Sequence, residues 1–189
     1  MNCLELPGGE TARLFLALWP DDALRHALLA WRDTWHWSAS SALVAPDDLH
    51  LTLHFLGGVP LVRLPELTAL GGALDVRCEP FALSLGRAAL WPQGIAVLRP
   101  EEAHAITPPL ARLHGELQLA LTRLGLPTED RIYRPHVTLA RHAQAAVPPP
   151  EGPNLRWPVA GYALVRSWPG KTGGYNVIRR YACGRSAQE

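Results

Sequence analysis

Along this chain the spacing of apolar positions switches between a period of two and a period near 3.6, and the switches mark out its elements. Residues 13–18 are almost wholly apolar and read as a first strand. Trp19-Pro20-Asp21-Asp22 ends it, and Asp21 is placed to cap a helix. Leu24, Ala27, Leu28, Trp31 and Trp35 then recur on one helical face. Pro46-Asp47-Asp48 turns the chain into a strand over 50–56, which Gly57-Gly58 closes. A second helix is expected over about 64–74 with Leu67, Leu70 and Leu74 inward, although Gly71-Gly72 weakens it. Alternation from Phe81 to Leu85 predicts a strand running toward Trp91-Pro92. Gln93-Gly94 supplies a hairpin turn into a partner over 94–98. The strongest helical signal follows. Thr107 stands at the cap and Pro108 at the first helical position, and Leu110, Leu113, Leu117, Leu121 and Leu124 form one stripe. Gly125 ends that stripe where a left-handed residue belongs. Residues 145–153 are proline-rich and read as loop; 157–165 and 175–181 read as two late strands.

Three helices among that many strands cannot cover both faces of a parallel sheet. The fold class is therefore α+β, with antiparallel strands and a helical layer outside them. A length of 189 residues suits one domain with a substantial core. Hydrophobic residues make up 48% and charged residues 19%, which is globular rather than disordered. No apolar run approaches the ~18 residues of a membrane span, and the first residues lack a basic-then-apolar leader. Cys3, Cys78 and Cys183 are odd in number and scattered, which favours reduced thiols in a cytoplasm over a disulfide framework or a zinc site. The net charge of +1 conceals an asymmetry: residues 1–130 carry 9 basic and 15 acidic side chains, residues 131–189 carry 9 and 2. A positive field over the second part would draw in an anion. A total this close to neutral argues against a long nucleic-acid groove.

The candidate chemistry lies in a repeated tetrad. His50-Leu51-Thr52-Leu53 recurs as His136-Val137-Thr138-Leu139, 86 residues later. On a strand, His and Thr at i and i+2 share a face while the apolar residues between them turn inward. Each copy thus presents one imidazole and one hydroxyl. Two imidazoles across a cleft can act as base and acid in one displacement, because histidine ionises near neutrality. Two hydroxyls can hold phosphoryl oxygens as charge builds on them. Neither tetrad contains a carboxylate or thiol, so the set suits an anion, with no metal or other cofactor. Arg134 and His54 share the tetrads' face by period two. Arg141 falls on the opposite face unless the strand twists or bulges before it.

The paired tetrads resemble the two-histidine phosphoesterase superfamily, and within it the RNA 2′,3′-cyclic phosphodiesterases, also called 2′-5′ RNA ligase-like proteins. Residues 13–20, 50–57 and 134–141 carry the likeness. It implies a single bilobal domain over 1–189, with two lobes related by a pseudo-two-fold and each giving one His-Thr pair to a central cleft. It implies hydrolysis of RNA 2′,3′-cyclic phosphate ends to 2′-phosphates, with His50 as proton donor and His136 as proton acceptor. Thr52 and Thr138 bind substrate, joined in the wider candidate set by Arg134, Arg141 and His54. Reverse 2′-5′ ligation would be a weak side activity. The implied partners are RNA ends or small cyclic phosphodiesters, with no membrane and no obligate protein partner, in the cytoplasm. Competing readings are a two-histidine enzyme for another cyclic or 2′,5′-linked phosphodiester, a zinc hydrolase using His50, His54 and His136, and an RNA-end binding protein without turnover.

Overall fold

The computed structural model describes residues 10–69, 71–101, 106–129, 131–168 and 174–184. Cys3 and Leu70, both named above, lie outside these. In order the elements are β1 (Thr11–Leu18), α1 (Asp22–Arg32), β2 (Ala42–Leu43), β3 (Leu51–Pro60), α2 (Leu64–Thr68), β4 (Phe81–Trp91), β5 (Ile95–Pro100), α3 (Pro108–Arg123), β6 (Val137–Arg141), β7 (Leu155–Val159), β8 (Gly161–Ser167) and β9 (Tyr175–Ala182). All strand pairs are antiparallel, in the order β7-β4-β5-β6-β3-β1-β8-β9, with β2 against β6.

That order is symmetric about its middle. β1-α1-β3 and β5-α3-β6 are both strand–helix–strand units whose strands are sheet neighbours, and β3 meets β6 at the centre. Their contact is the pair Leu51↔Val137, the residues between His and Thr in the two tetrads. Continued by one residue each way, this antiparallel register sets His50 opposite Thr138 and Thr52 opposite His136.

The continuous apolar run of β1 arises because the strand is buried on both faces. Leu14, Leu16 and Leu18 join the main core with Leu24 and Leu28 of α1 and Leu110, Leu113, Leu117 and Leu121 of α3. Phe15 and Ala17 look the other way, into a second cluster with Ala163 and Val165. Burial of each large aliphatic side chain contributes roughly 1.5–3 kcal/mol, so the helical face anchors the sheet. Asp21 caps α1 as expected, accepting from the Leu24 N–H at 2.8 Å.

Five expectations need correction. β3 runs on through Gly57-Gly58 to Pro60 and is not closed there. The second helix stops at Thr68, where Gly71 (φ 67°) takes a turn that the helix cannot continue through. Thr107 precedes α3 but its hydroxyl makes no capping bond; Oγ1 is buried without a partner, and Pro108 alone starts the helix. The stretch 157–165 is two strands, not one. β7 pairs with β4 and β8 with β1, at opposite sides of the sheet order, and the chain passes between them at Ala160. Finally, Cys78 and Cys183 form a disulfide across 105 residues. It joins the approach to β4 to the end of β9, where the Gly184 N–H also bonds the Cys78 carbonyl at 2.8 Å.

Candidate active site

Each tetrad histidine is held in the same way. The ring Nδ1 of His50 lies 2.6 Å from the carbonyl oxygen of Asp48, and that of His136 lies 2.7 Å from the carbonyl oxygen of Arg134. A carbonyl only accepts, so Nδ1 carries the proton and Nε2 is left for chemistry. A 3-10 turn over Pro46–Asp48 aims the first carbonyl, and Pro135, which favours extended backbone in the residue before it, aims the second. Nε2 of His50 sits 3.1 Å from Thr52 Oγ1, so this pair shares the cleft face as the period-two reading requires. Arg134 contributes its carbonyl, while its side chain is exposed.

Both strands then break period. Against β1, the residues flanking Leu53 pair as Thr52↔Ala17 and His54↔Leu16; against β5, those flanking Leu139 pair as Thr138↔Val97 and Ala140↔Ala96. One extra residue at the same place in each copy reverses the faces that follow. Arg141 is thereby brought round to the cleft face, and its charge acts on both His50 and His136. His54 is sent the other way, contrary to the period-two count. It is 3% exposed, its Nε2 donates to the His114 carbonyl at 2.9 Å, and its ring stacks on His114. His114 stacks in turn on Tyr133, whose hydroxyl donates to the Thr52 carbonyl at 3.0 Å. This stack braces β3 from behind and turns His54 away from the face that carries His50, so among the described residues His50, His54 and His136 form no metal-binding trio.

The walls were not anticipated from sequence. Trp19 stacks on His50 with ring centroids 5.4 Å apart and planes within 7°, and Phe15 and Tyr175 flank the same ring at 4.9 and 5.2 Å. Burial raises the Asp48 pKa, and the backbone N–H of Tyr175, in the same wall, opposes that shift. On the other side Trp91 lies 4.4 Å from His136, and Arg99 and Arg131 act on it electrostatically. The Phe15-Ala17-Trp19 alternation was the available signal for the aromatic wall.

Both imidazoles are pushed toward neutrality. Burial lowers the His50 pKa to about 4, opposed by the Asp48 carbonyl and reinforced by the charges of His136 and Arg141. Burial also lowers His136, opposed by the Arg134 carbonyl and reinforced by Arg131, Arg99 and Arg141. A site in which cations suppress one another is one that an anion relieves.

Comparison with known proteins places the chain in a family. Residues 18–97 match the family model described as LigT like Phosphoesterase. An RNA 2′,3′-cyclic phosphodiesterase of Thermus thermophilus is 35% identical over 162 residues, covering 82% of this chain and 81% of that protein. Its counterpart from Escherichia coli is 33% identical over 163 residues, covering 84% and 88%. The crystal structure of E. coli LigT complexed with 3′-AMP superposes with a TM-score of 0.77 at 30% identity, over 93% of this chain and all of that one. By sequence and fold, the chain belongs to the LigT-like phosphoesterases of the two-histidine superfamily.

Proposed function

We propose that this protein hydrolyses RNA 2′,3′-cyclic phosphate ends to 2′-phosphomonoesters by paired-histidine catalysis within one bilobal domain. The observation that carries the reading is the pair of Nδ1-anchored imidazoles, each with a threonine, facing one cleft across the Leu51–Val137 contact. His136 Nε2 takes a proton from water, and the water oxygen attacks phosphorus. The bond from phosphorus to the ribose 3′ oxygen breaks, and His50 Nε2 delivers a proton to that oxygen. Thr52, Thr138 and Arg141 hold the non-bridging oxygens, where hydroxyl and guanidinium donors are worth most as charge accumulates.

Burial lowers the His50 pKa to about 4, which by itself would favour it as the base. Two features favour it as the acid once substrate is present. The phosphate's negative charge stabilises imidazolium, and the face of Trp19 against the ring does so further. The 3′ oxygen as leaving atom follows from likeness to the family, in which one in-line oxygen departs in a given pose. Run backwards with a 5′-hydroxyl in place of water, the same groups would make a 2′-5′ linkage as a minor reaction.

The test is product identity. A short RNA with a cyclic end, incubated with enzyme and read by ³¹P NMR, is expected to yield a terminal 2′-phosphate. A 3′-phosphate would reverse the substrate's orientation, and an unhydrolysed cyclic end would remove the proposal.

A further inference from the structure

The cleft does not stop at His50. The register from β3 through β1 to β8 and β9 sets Trp19 beside Gly161 and Ala182, and pairs Arg180 with Ala163, all on the cleft face. Next to these residues, where the chain crosses from β7 to β8, the structure has a groove of about 320 Å³, whose lining includes Trp19, Asp21, Trp157, Gly161, Arg180 and Ala182. Its volume lies at the lower end of the range for small-molecule sites, roughly 300–1,000 Å³. Trp19 belongs to both places: its ring covers His50, and the same side chain forms one wall of the groove.

The groove exists because of a difference between the two halves of the sheet. Matching β1 to β5 and β8 to β4 through their registers places Gly161 where the second half has Arg87. Gly161 cannot grow a side chain, since a Cβ there would fall 2.2 Å from the Tyr181 carbonyl oxygen. The floor is therefore kept low, with Ala163 and Ala182 beside it. At the rim stands Arg180, exposed, and among the described residues no carboxylate pairs with it. The acidic group nearby, Asp21, has one carboxylate oxygen engaged by the Leu24 N–H.

We propose that this groove binds the nucleotide on the 5′ side of the one bearing the cyclic phosphate, with Arg180 holding the phosphodiester that joins them. An aromatic wall, a floor of small residues and an unpaired guanidinium match a base, a ribose and a phosphate in turn. The spacing fits. Three strand steps of ~4.8 Å separate the backbones at Thr52 and Arg180, about 14 Å, which side chains reaching inward from both ends shorten to the span of one terminal nucleotide. The inference rests on the activity proposed above and adds that the enzyme reads more than the terminal nucleotide. Arg180 here is a binding residue remote from the reacting atoms.

A comparison of a nucleoside 2′,3′-cyclic phosphate with a dinucleotide carrying the same cyclic end tests it. The wild type is expected to favour the dinucleotide in kcat/KM, through KM. Arg180→Ala should lower kcat/KM for the dinucleotide by about three- to tenfold, the scale of one exposed charge-assisted contact, and leave the mononucleotide within about twofold. Arg180→Lys should restore part of the preference, and Arg180→Glu should lower it further. Equal loss on both substrates, or a wild type with no preference, would overturn the groove assignment while leaving the catalytic proposal standing. Failure to hydrolyse either substrate would instead remove the activity on which the inference rests.

Discussion

The two tetrads are built alike and surrounded differently. Both histidines give Nδ1 to the carbonyl two residues back, and both strands carry an extra residue after the threonine. The matched registers then show what differs. Trp19 beside His50 corresponds to Arg99, which acts on His136, and Phe55 corresponds to Arg141. Three aromatic rings surround His50, whereas His136 has Trp91 alone and the charges of Arg99 and Arg131. A symmetric scaffold has been given one side to stack rings and another to hold charge. This is what an asymmetric substrate, with a nucleoside at one end and a phosphate in the middle, requires.

The comparison breaks most visibly at what the halves share. His50→Ala and His136→Ala should each lower kcat by at least about 10²-fold with the circular dichroism spectrum unchanged, and Thr52→Ala and Thr138→Ala should cost less. Steady-state kinetics on a cyclic-ended RNA checks this, and near-full activity in either histidine variant would end the two-histidine account. A second test addresses what the halves do not share. Arg141→Ala should cost about tenfold or more in kcat/KM, the scale of a charge-assisted bond to an anion. Phe55→Ala, at the corresponding position, should cost less. Equal losses would mean that the aromatic and cationic walls are not distinct in function.

The pH dependence comes next in size. The pKa values of both imidazoles, His50 and His136, are depressed, so the form with one proton between the two rings is most populated below pH 6.5. The kcat/KM profile should be bell-shaped with its maximum on that acid side, and the kcat maximum should lie higher because bound phosphate raises both values. A rate that climbs steadily to pH 9 would contradict this. The same depression makes the fold acid-sensitive. The unfolded chain binds the His50 proton near pH 6.5 and the native one only near 4, so stability is full above 6.5 and is lost as pH falls through that window. Thermal melts at pH 7 and pH 4.5 measure it. The smallest expected effect is that of a chelator: EDTA with dialysis should leave kcat within about twofold, since the proposed protons and charges move on side chains alone. Loss restored by zinc or manganese would transfer the chemistry to a metal.

Much of this was legible in the residues. Asp21, Gly125 and the leucine stripe of α3 placed two helices, because caps and a 3.6 period are local signals. His-x-Thr placed four side chains on one face. What escaped depends on pairing. A bulge is defined by the partner strand, so counting by twos put His54 in the cleft and Arg141 out of it, and the structure reverses both. The Cys78–Cys183 bridge, the division of 157–165 between two ends of the sheet, and the meeting of Trp19 with His50 are likewise long-range facts. No local period encodes them.

The claim that His50 donates the proton to the leaving oxygen, and His136 does not, is tested most directly by replacing that oxygen. With sulfur at the 3′ position of the cyclic end, the departing atom needs little protonation, because a thiolate is a far better leaving group than an alkoxide. Against this substrate His50→Ala should recover to within about tenfold of the wild type, whereas His136→Ala should remain at least about 10²-fold impaired. Recovery of His136→Ala in place of His50→Ala would exchange the two roles, and recovery of neither would contradict general-acid catalysis by the pair.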